Sequence, residues 1–546
     1  MTNMKKYIQT KYVLPFMLIA CAACQLLITC YFNFLKAPEH MTIDSSWEYL
    51  KAMVIGDNGG FFPTDLLHAT TQPLVERIFL LVAPLYRLTG NVYTAYAIAN
   101  LVITLLSVFV IYKIGQNLDF EIWHIFVIVN LFLCPYLASG FNINNDLGFF
   151  ICVNGFMAAQ NMSELFFLLI LYIFTIENIE KKSIVVSGIT IIFGVYLSVC
   201  KGLGMLTWVG IPLIAYVIVY AWIKNEPKVL VSWKTVIAYL TIIGMFVGRA
   251  IGGVMGLSYQ DGGYNWTDAS NIFSNIGKMI EGFMLLIGAV PATGIERGAF
   301  SVNGLPYVFG RVIFYVIVIA IAWNVVKLIK ERDFDGRQYQ VRLMLVVLFA
   351  VTFLQYSIVD TRLGGEGDIF CARYLITALI GAFFLVGFFL KELGDSFFKR
   401  CGVIALFVSI VFMDLFSDYY LSCADNSQFR TKEILAVVEE YNPGLIVFWS
   451  DFEELTPAEK IIRVEDYSRV YKNVTRGDMY SNFGDYSYYD DTTEYAGATM
   501  IVTATEKPGA PAELLDKYQL VYEENDISIY YADQNYIDLA EWCSNL

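Results

Sequence analysis

Residues 181–202 read KKSIVVSGITIIFGVYLSVCKG. Between the lysine pair at 181–182 and Lys201 lie eighteen residues without a charge. A helix rises 1.5 Å per residue, so a run of roughly 18–20 apolar residues is what about 30 Å of hydrocarbon requires. The cations stand at both ends, where the polar surfaces of a bilayer would be. This stretch reads as a membrane span, and the same pattern recurs along the chain. Further candidates are Tyr12–Leu35, Val92–Gly115, Glu121–Gly140, Asn161–Glu177, Gly204–Ile223, Lys234–Met255, Pro306–Ile329, Val341–Val359, Arg373–Leu390 and Cys401–Tyr420. With Ser183–Cys200 they make about eleven. The first is too long for a signal-peptide core and lacks a small-residue cleavage site, so it is read as retained.

Composition agrees, with 57% hydrophobic and only 16% charged residues, which is too apolar for a soluble enzyme. From Leu421 onward, 9 Lys and Arg stand against 24 Asp and Glu, so the tail accounts for the whole net charge of −14. The acidity belongs to one region, and nucleic acid is excluded as a partner. Cations in short loops set the orientation. Lys5, Lys6 and Lys11 fall on the same side as Lys181, Lys182, Lys224, Lys228, Lys330, Arg332, Arg337, Arg342, Lys399 and Arg400. That side is read as cytoplasmic, which puts the acidic tail outside. The expected division is residues 1–420 as a transmembrane module, with outer loops at 36–91 and 257–305, and residues 421–546 as a small extracytoplasmic α/β domain. In the first loop, Pro73–Leu88 reads as an amphipathic interfacial helix. In the second, Met279–Val290 is too short to span. In the tail, Thr431–Tyr441 has helical spacing, ended by Asn442-Pro443-Gly444. Leu445–Trp449 and Thr499–Ala504 read as strands, and Tyr518–Tyr522 with Ile527–Tyr531 as a hairpin.

Ionisable residues at membrane depth are costly and need an account. Asp44 follows the first span in Thr42-Ile43-Asp44-Ser45-Ser46-Trp47-Glu48. It suits a general base toward an acceptor hydroxyl, and equally a helix N-cap. Lys201, followed by Gly202, suits an anionic ligand such as a phosphate, or simple snorkelling to the interface. Arg373-Tyr374 opens a span shortly after Arg362 and the Gly-rich 363–367. The three form a phosphate clamp on one reading and an aromatic-anchored span end on the other. Asp146, in Asn142-Ile143-Asn144-Asn145-Asp146, is a sugar-binding candidate or a polar turn. Arg249 is a weaker anion-site candidate. His40 and His68 make a poor metal pair. Cys21 and Cys24 have C-x-x-C spacing inside an apolar helix and read as packing residues. Cys371, Cys423 and Cys543 share the outer side, where a bridge between two of them is open. Sequons at Asn161, Asn265 and Asn473 matter only in a glycosylating pathway.

The order of these features resembles the GT-C superfamily of membrane glycosyltransferases, in its protein O-mannosyltransferase and aminoarabinose-transferase branch. In that branch an acidic motif follows the first span, then come a His-Pro-Pro-Leu-like turn and an interfacial helix ending in Gly. The counterparts here are Asp44-Ser45, Thr71-Gln72-Pro73-Leu74 and Leu85-Tyr86-Arg87-Leu88-Thr89-Gly90. A Gly-x6-Lys-Gly pattern in the fifth span is matched by Gly194 through Lys201-Gly202, and the Arg-Tyr pair by Arg373-Tyr374. Two departures stand out: Ser45 replaces the second acid, which Glu48 or Asp146 would supply, and Thr71-Gln72 replace His-Pro. The resemblance implies transfer of a sugar from a polyprenyl-phosphate carrier to a protein, lipid or cell-wall acceptor on the outer face, with inversion. It implies Asp44 as base, with Lys201 holding the donor phosphate. It implies location in the plasma (cytoplasmic) membrane and no metal or other cofactor. A lipid or solute transporter, or a non-catalytic scaffold of the same fold, is the alternative. Transporters usually show internal repeats, and none is visible.

Overall fold

Inside a bilayer the backbone has no water to bond, so each apolar run must close its own hydrogen bonds as a helix. The computed structural model describes residues 2–41, 43–58, 79–136, 148–156, 158, 160–255, 265–290, 298, 300–301, 304–331, 333–360, 372–393, 397–423, 430–449, 452–466, 469–474, 497–506 and 509–537. All eleven expected spans fall on helices. Eight helices are long and apolar enough to cross a membrane, and Ile122–Leu133, Asn161–Thr175 and Cys401–Phe416 are shorter apolar stretches. The chain is thus a multi-pass membrane protein. Ile122–Leu133 stops well short of the expected Gly140 because Pro135 follows. Cys134, at φ −55° and ψ 122°, has left the helical region, as a residue before proline tends to.

Contact clustering divides the chain into two units. Residues 1–35, 76–78 and 97–423 form the first, and residues 36–75, 79–96 and 424–546 the second. The first outer loop of the sequence reading therefore clusters with the tail, not with the bundle.

In the first unit, helix Trp233–Val254 packs along Lys181–Lys201. Gly244, Gly248 and Gly252 recur every fourth residue, placing a small-residue stripe on one face. A Cβ on Gly248 would lie 2.2 Å from the Val195 carbonyl oxygen, so the backbones approach to where only glycine fits. Successive spans reverse direction, which sorts the helix ends into two sets. One end carries Lys224, Arg337, Arg342 and Glu392. There Arg342 pairs with Glu331 at 2.6 Å and with Glu392, and Arg337 with Asp119 at 2.6 Å and Glu177 at 3.2 Å. Lys224 pairs with Asp335. The other end carries Lys201, Tyr356 and Tyr374. The apolar stretch expected at Met279–Val290 is a helix, Ile272–Leu286, that begins earlier and stops before Gly288, whose φ is +63°. Its buried face (Met279, Phe283, Leu286) packs toward Phe349 and Phe353. Between helices, Asp414 accepts from Gln25 Nε2 at 3.1 Å and from Cys21 Sγ at 3.3 Å, so Cys21 is a packing residue with a polar partner.

The second unit is built on a five-stranded sheet. Its strands are β3 (Leu445–Trp449), β4 (Val470–Val474), β5 (Thr499–Ala504), β6 (Gln519–Glu524) and β7 (Ile527–Ala532), in the order β4-β3-β5-β7-β6. The two-stranded ladder β1 (Asn265–Trp266) with β2 (Val359–Asp360) belongs to the first unit. β3 is parallel to β4 and β5, and both β3 and β5 are buried along their whole length, as central parallel strands are. β6 and β7 close through Asn525 and Asp526 at φ 53° and 67°, the two left-handed residues of a primed hairpin turn. The sequence put a longer turn there, from Glu523 onward. Helix Phe452–Glu465, missed in the sequence, links β3 to β4 and packs against helix Ile43–Asn58. The interfacial helix is seen as Phe79–Thr89, ended by Gly90 at φ +66°; the expected start at Pro73 lies outside the described residues.

Candidate functional site

Lys201 is the last residue of its helix. Gly202, at φ +58°, turns the chain back at once, and the return passes through Leu206–Gly210 into Ile211–Lys224. That reversal lays Trp208 beside the lysine, whose Nζ stands 4.7 Å from the indole ring centre. At such a distance the ring quadrupole attracts the cation. Trp208 in turn contacts Tyr374, with centroids 6.0 Å apart, and Tyr374 stacks on Tyr356 at 5.7 Å and 12°. The Arg373 guanidinium lies 5.9 Å from the Tyr374 ring. Two cations therefore bracket a run of aromatic faces drawn from three separate parts of the chain. Lys201, Arg373 and Tyr374, singled out in the sequence on separate grounds, are brought together. Trp208 and Tyr356, which complete the row, were missed. A tryptophan four residues past the Gly-x-Gly at 202–204 carries no signal until the reversal is known.

Lys201 Nζ also donates to Gln160 Oε1 at 3.0 Å. One turn further along, Glu164 is 1% exposed and accepts from the Thr377 hydroxyl at 2.9 Å. Thr377 lies on helix Ile376–Glu392, directly after the turn Ala372–Leu375 that carries Arg373 and Tyr374. Glu164, an acid at membrane depth, is the one missed group whose position alone gave a signal.

The remaining candidates fall elsewhere. Asp44 lies in the first turn of helix Ile43–Asn58, in the second unit; the helix already includes Ile43, so Asp44 is inside it and not ahead of it. Carboxylates are favoured there by the helix dipole. Glu48 is 2% exposed, and its Oε1 pairs with Lys51 Nζ at 3.2 Å. Burial on both sides of that pair makes it a structural element of the helix. Tyr49, one residue on, stacks on Tyr96 at 3.9 Å. Asp146, Arg362, Asn142–Asn145, His68 and Thr71-Gln72-Pro73-Leu74 lie outside the described residues, as do Cys371, Cys543 and the side chain of Cys423. Arg249 sits in the last turns of Trp233–Val254. The sequon residue Asn161 is 3% exposed and bonded to Asn100, so it is closed to modification in the folded chain. Among the described residues no three His, Cys, Asp or Glu side chains gather as a metal site.

No protein-family model and no curated protein matches the sequence. Solved structures do. The chain is similar to ArnT from Cupriavidus metallidurans bound to undecaprenyl phosphate, with a TM-score of 0.56 at 10% identity, over 94% of this chain and 97% of that one. It is equally similar to the same protein in the apo state, with a TM-score of 0.56 at 12% identity, over 96% and 98%. Near-complete coverage of both chains includes the tail as well as the bundle. The fold is the GT-C fold that the motif order implied.

Proposed function

We propose that the protein is a membrane glycosyltransferase that moves one sugar from a polyprenyl-phosphate carrier to an acceptor at the outer face of the plasma membrane. The observation that carries this reading is the convergence of Lys201, Arg373 and Tyr374 on one aromatic-lined spot in a chain with the ArnT fold. A lipid-linked sugar presents a phosphate at the membrane surface. When the bond from the sugar to the phosphate oxygen breaks, the phosphate keeps the electron pair and gains a negative charge. Fixed cations at that position stabilise the charge as it forms. Lys201 and Arg373 take this task, with Arg362 as a further ligand and Tyr374 as the aromatic wall between them.

The acceptor oxygen attacks the anomeric carbon from the opposite side, which inverts it, and the acceptor proton passes to Asp44. Asp146 is the candidate for holding the sugar. Glu48, tied to Lys51, orients the helix bearing Asp44. The tail serves to dock the acceptor, and the N-terminus is cytoplasmic. The chemistry asks for no metal: the leaving group is already an anion facing cations.

The test is to make Asp44→Asn and Lys201→Ala in the intact protein, then compare surface glycans and the pool of lipid-linked donor with wild type. Loss of one glycan with build-up of the donor is expected in both. Wild-type glycans and donor levels in both variants would overturn the enzyme reading, and altered lipid transport with unchanged transfer would favour a transporter.

A further inference from the structure

Lys201 is aimed by a residue that no motif marks. Gln160 is 5% exposed, and its amide oxygen receives the Lys201 ammonium at 3.0 Å. It is carried by an irregular turn between Phe149–Val153 and Asn161–Thr175, not by a regular helix. Backbone hydrogen bonds tie the turn's described residues to the preceding helix. Ala158 takes a left-handed φ of +43° and its backbone N–H donates to Ile151 O at 3.0 Å, while the Gln160 backbone N–H donates to Cys152 O at 2.8 Å.

Around it runs a buried set of asparagines. Asn33 Nδ2 donates to Asn154 O at 2.8 Å, and Asn154 Nδ2 to Phe132 O at 2.9 Å. Asn100 Nδ2 donates to Gly155 O at 3.0 Å and to Asn33 Oδ1 at 3.1 Å, and Asn161 Nδ2 donates to Asn100 Oδ1 at 3.3 Å. Buried polar groups of this kind are costly unless satisfied, and once satisfied they specify one geometry. What they specify here is the height and direction of residue 160. The helix that starts at Asn161 then sets Glu164 four residues on, on the same face, where it holds Thr377 beside the Arg373-Tyr374 turn. One helix face thus reaches both halves of the cation pair.

We propose that Gln160 is a positioning residue of the donor site: its amide oxygen fixes the Lys201 ammonium over Trp208 at the place where the donor phosphate is received. This rests on the reading of Lys201 as a phosphate ligand. An amide suits the task because it orients a cation without adding a negative charge beside the incoming anion. A carboxylate at the same place would compete with the phosphate, as Glu48 engages Lys51.

The test uses the full-length protein in lipid nanodiscs, titrated with undecaprenyl phosphate and read by its tryptophan fluorescence. Gln160→Glu keeps shape and acceptor but adds a charge; Gln160→Met keeps length and removes the acceptor. About a tenfold loss of affinity is expected for the first and about threefold for the second, and neither has a further effect in a Lys201→Met background. That lack of additivity is what a merely structural role would not produce. If Lys201→Met binds like wild type, the phosphate reading of Lys201 fails and the proposal falls with it. If Lys201→Met is weakened but the Gln160 variants bind like wild type, or their losses add in full to it, the positioning role alone is overturned. Gln160→Glu preserves the buried acceptor, so it carries the test even where Gln160→Met does not fold.

Discussion

Two lysines of this chain, Lys51 and Lys201, show how the same side chain is put to opposite uses. Lys51 is 1% exposed and answers Glu48, 2% exposed, three residues before it on one helix. Each has left water for the other, and removing one leaves a buried charge without its partner. Lys51→Met is therefore expected to destabilise the second unit by about 3–5 kcal/mol, while Glu48→Met/Lys51→Met together recover most of the loss. Thermal unfolding followed by tail fluorescence decides it: equal melting of single and double variants would show that the pair is not coupled. Lys201 donates to the Gln160 amide oxygen and lies over an indole face. The sequence singled out Lys201 because a lone cation between two apolar runs is conspicuous. It could not name Gln160 or Trp208, since a glutamine and a tryptophan near span ends are ordinary until the chain reversal at Gly202 sets them side by side. The second acid was sought at Glu48 or Asp146; Glu48 pairs with Lys51, and Asp146 lies outside the described residues.

At the scale of elements, the seam between Lys181–Lys201 and Trp233–Val254 fixes the depth of Lys201. Lipid offers helices no hydrophobic reason to associate, so close backbone packing at small residues must supply it. Gly248→Leu places carbon where the Val195 carbonyl oxygen stands, 2.2 Å from the first added atom. Loss of most folded, monodisperse protein in size-exclusion chromatography is expected. Gly188→Ala, on the same Lys181–Lys201 helix but with nothing within 4 Å of the added carbon, should elute as wild type. Similar behaviour of the two variants would deny the seam its role. Helix existence was legible throughout, because an apolar run without charges has no other fold in a bilayer. Ends were less so: Pro135 shortens one helix, and the turn before Asn161 is bonded by Asn33 and Asn100 from two distant elements that no local pattern reveals. In the tail, β3, β5 and the hairpin were read from their β-branched and aromatic runs. Helix Phe452–Glu465 was missed because Pro457 and six charged residues in fourteen break up its apolar spacing.

At the scale of the molecule, the second unit carries a titrating group of its own. There, burial pushes the Tyr518 phenol up to about 12, partly offset by a hydrogen bond from the Tyr536 amide. The unfolded chain loses that proton near pH 10, so it binds fewer protons than the native unit between about 10 and 12. Stability of the tail accordingly falls as pH rises through that window and is unaffected below it. Tyr518→Phe should flatten part of the fall in alkaline unfolding monitored by tail fluorescence; an unchanged slope would refute the assignment. Orientation is tested on the whole chain as well. A phosphatase joined after Leu546 is expected to be active, and one inserted within residues 333–336, at the ion-paired end, inactive; the reverse result would invert the topology.

In the most apolar eighteen-residue stretch of Ala372–Glu392, 83% of the residues are buried, so protein walls most of this helix and little of it is left for lipid. Its neighbours are Ile122–Leu133, Asn161–Thr175, Leu305–Lys330 and Arg337–Ser357, all of which leave the ribosome before it. It is the plug of a socket that earlier synthesis has already prepared. Arg373 and Tyr374 ride on its leading end, so the proposed anion site comes into being only when that plug seats. An incompletely made chain holds Lys201 and Trp208 but not their counterparts, so the proposed phosphate clamp is complete only once this helix has been made.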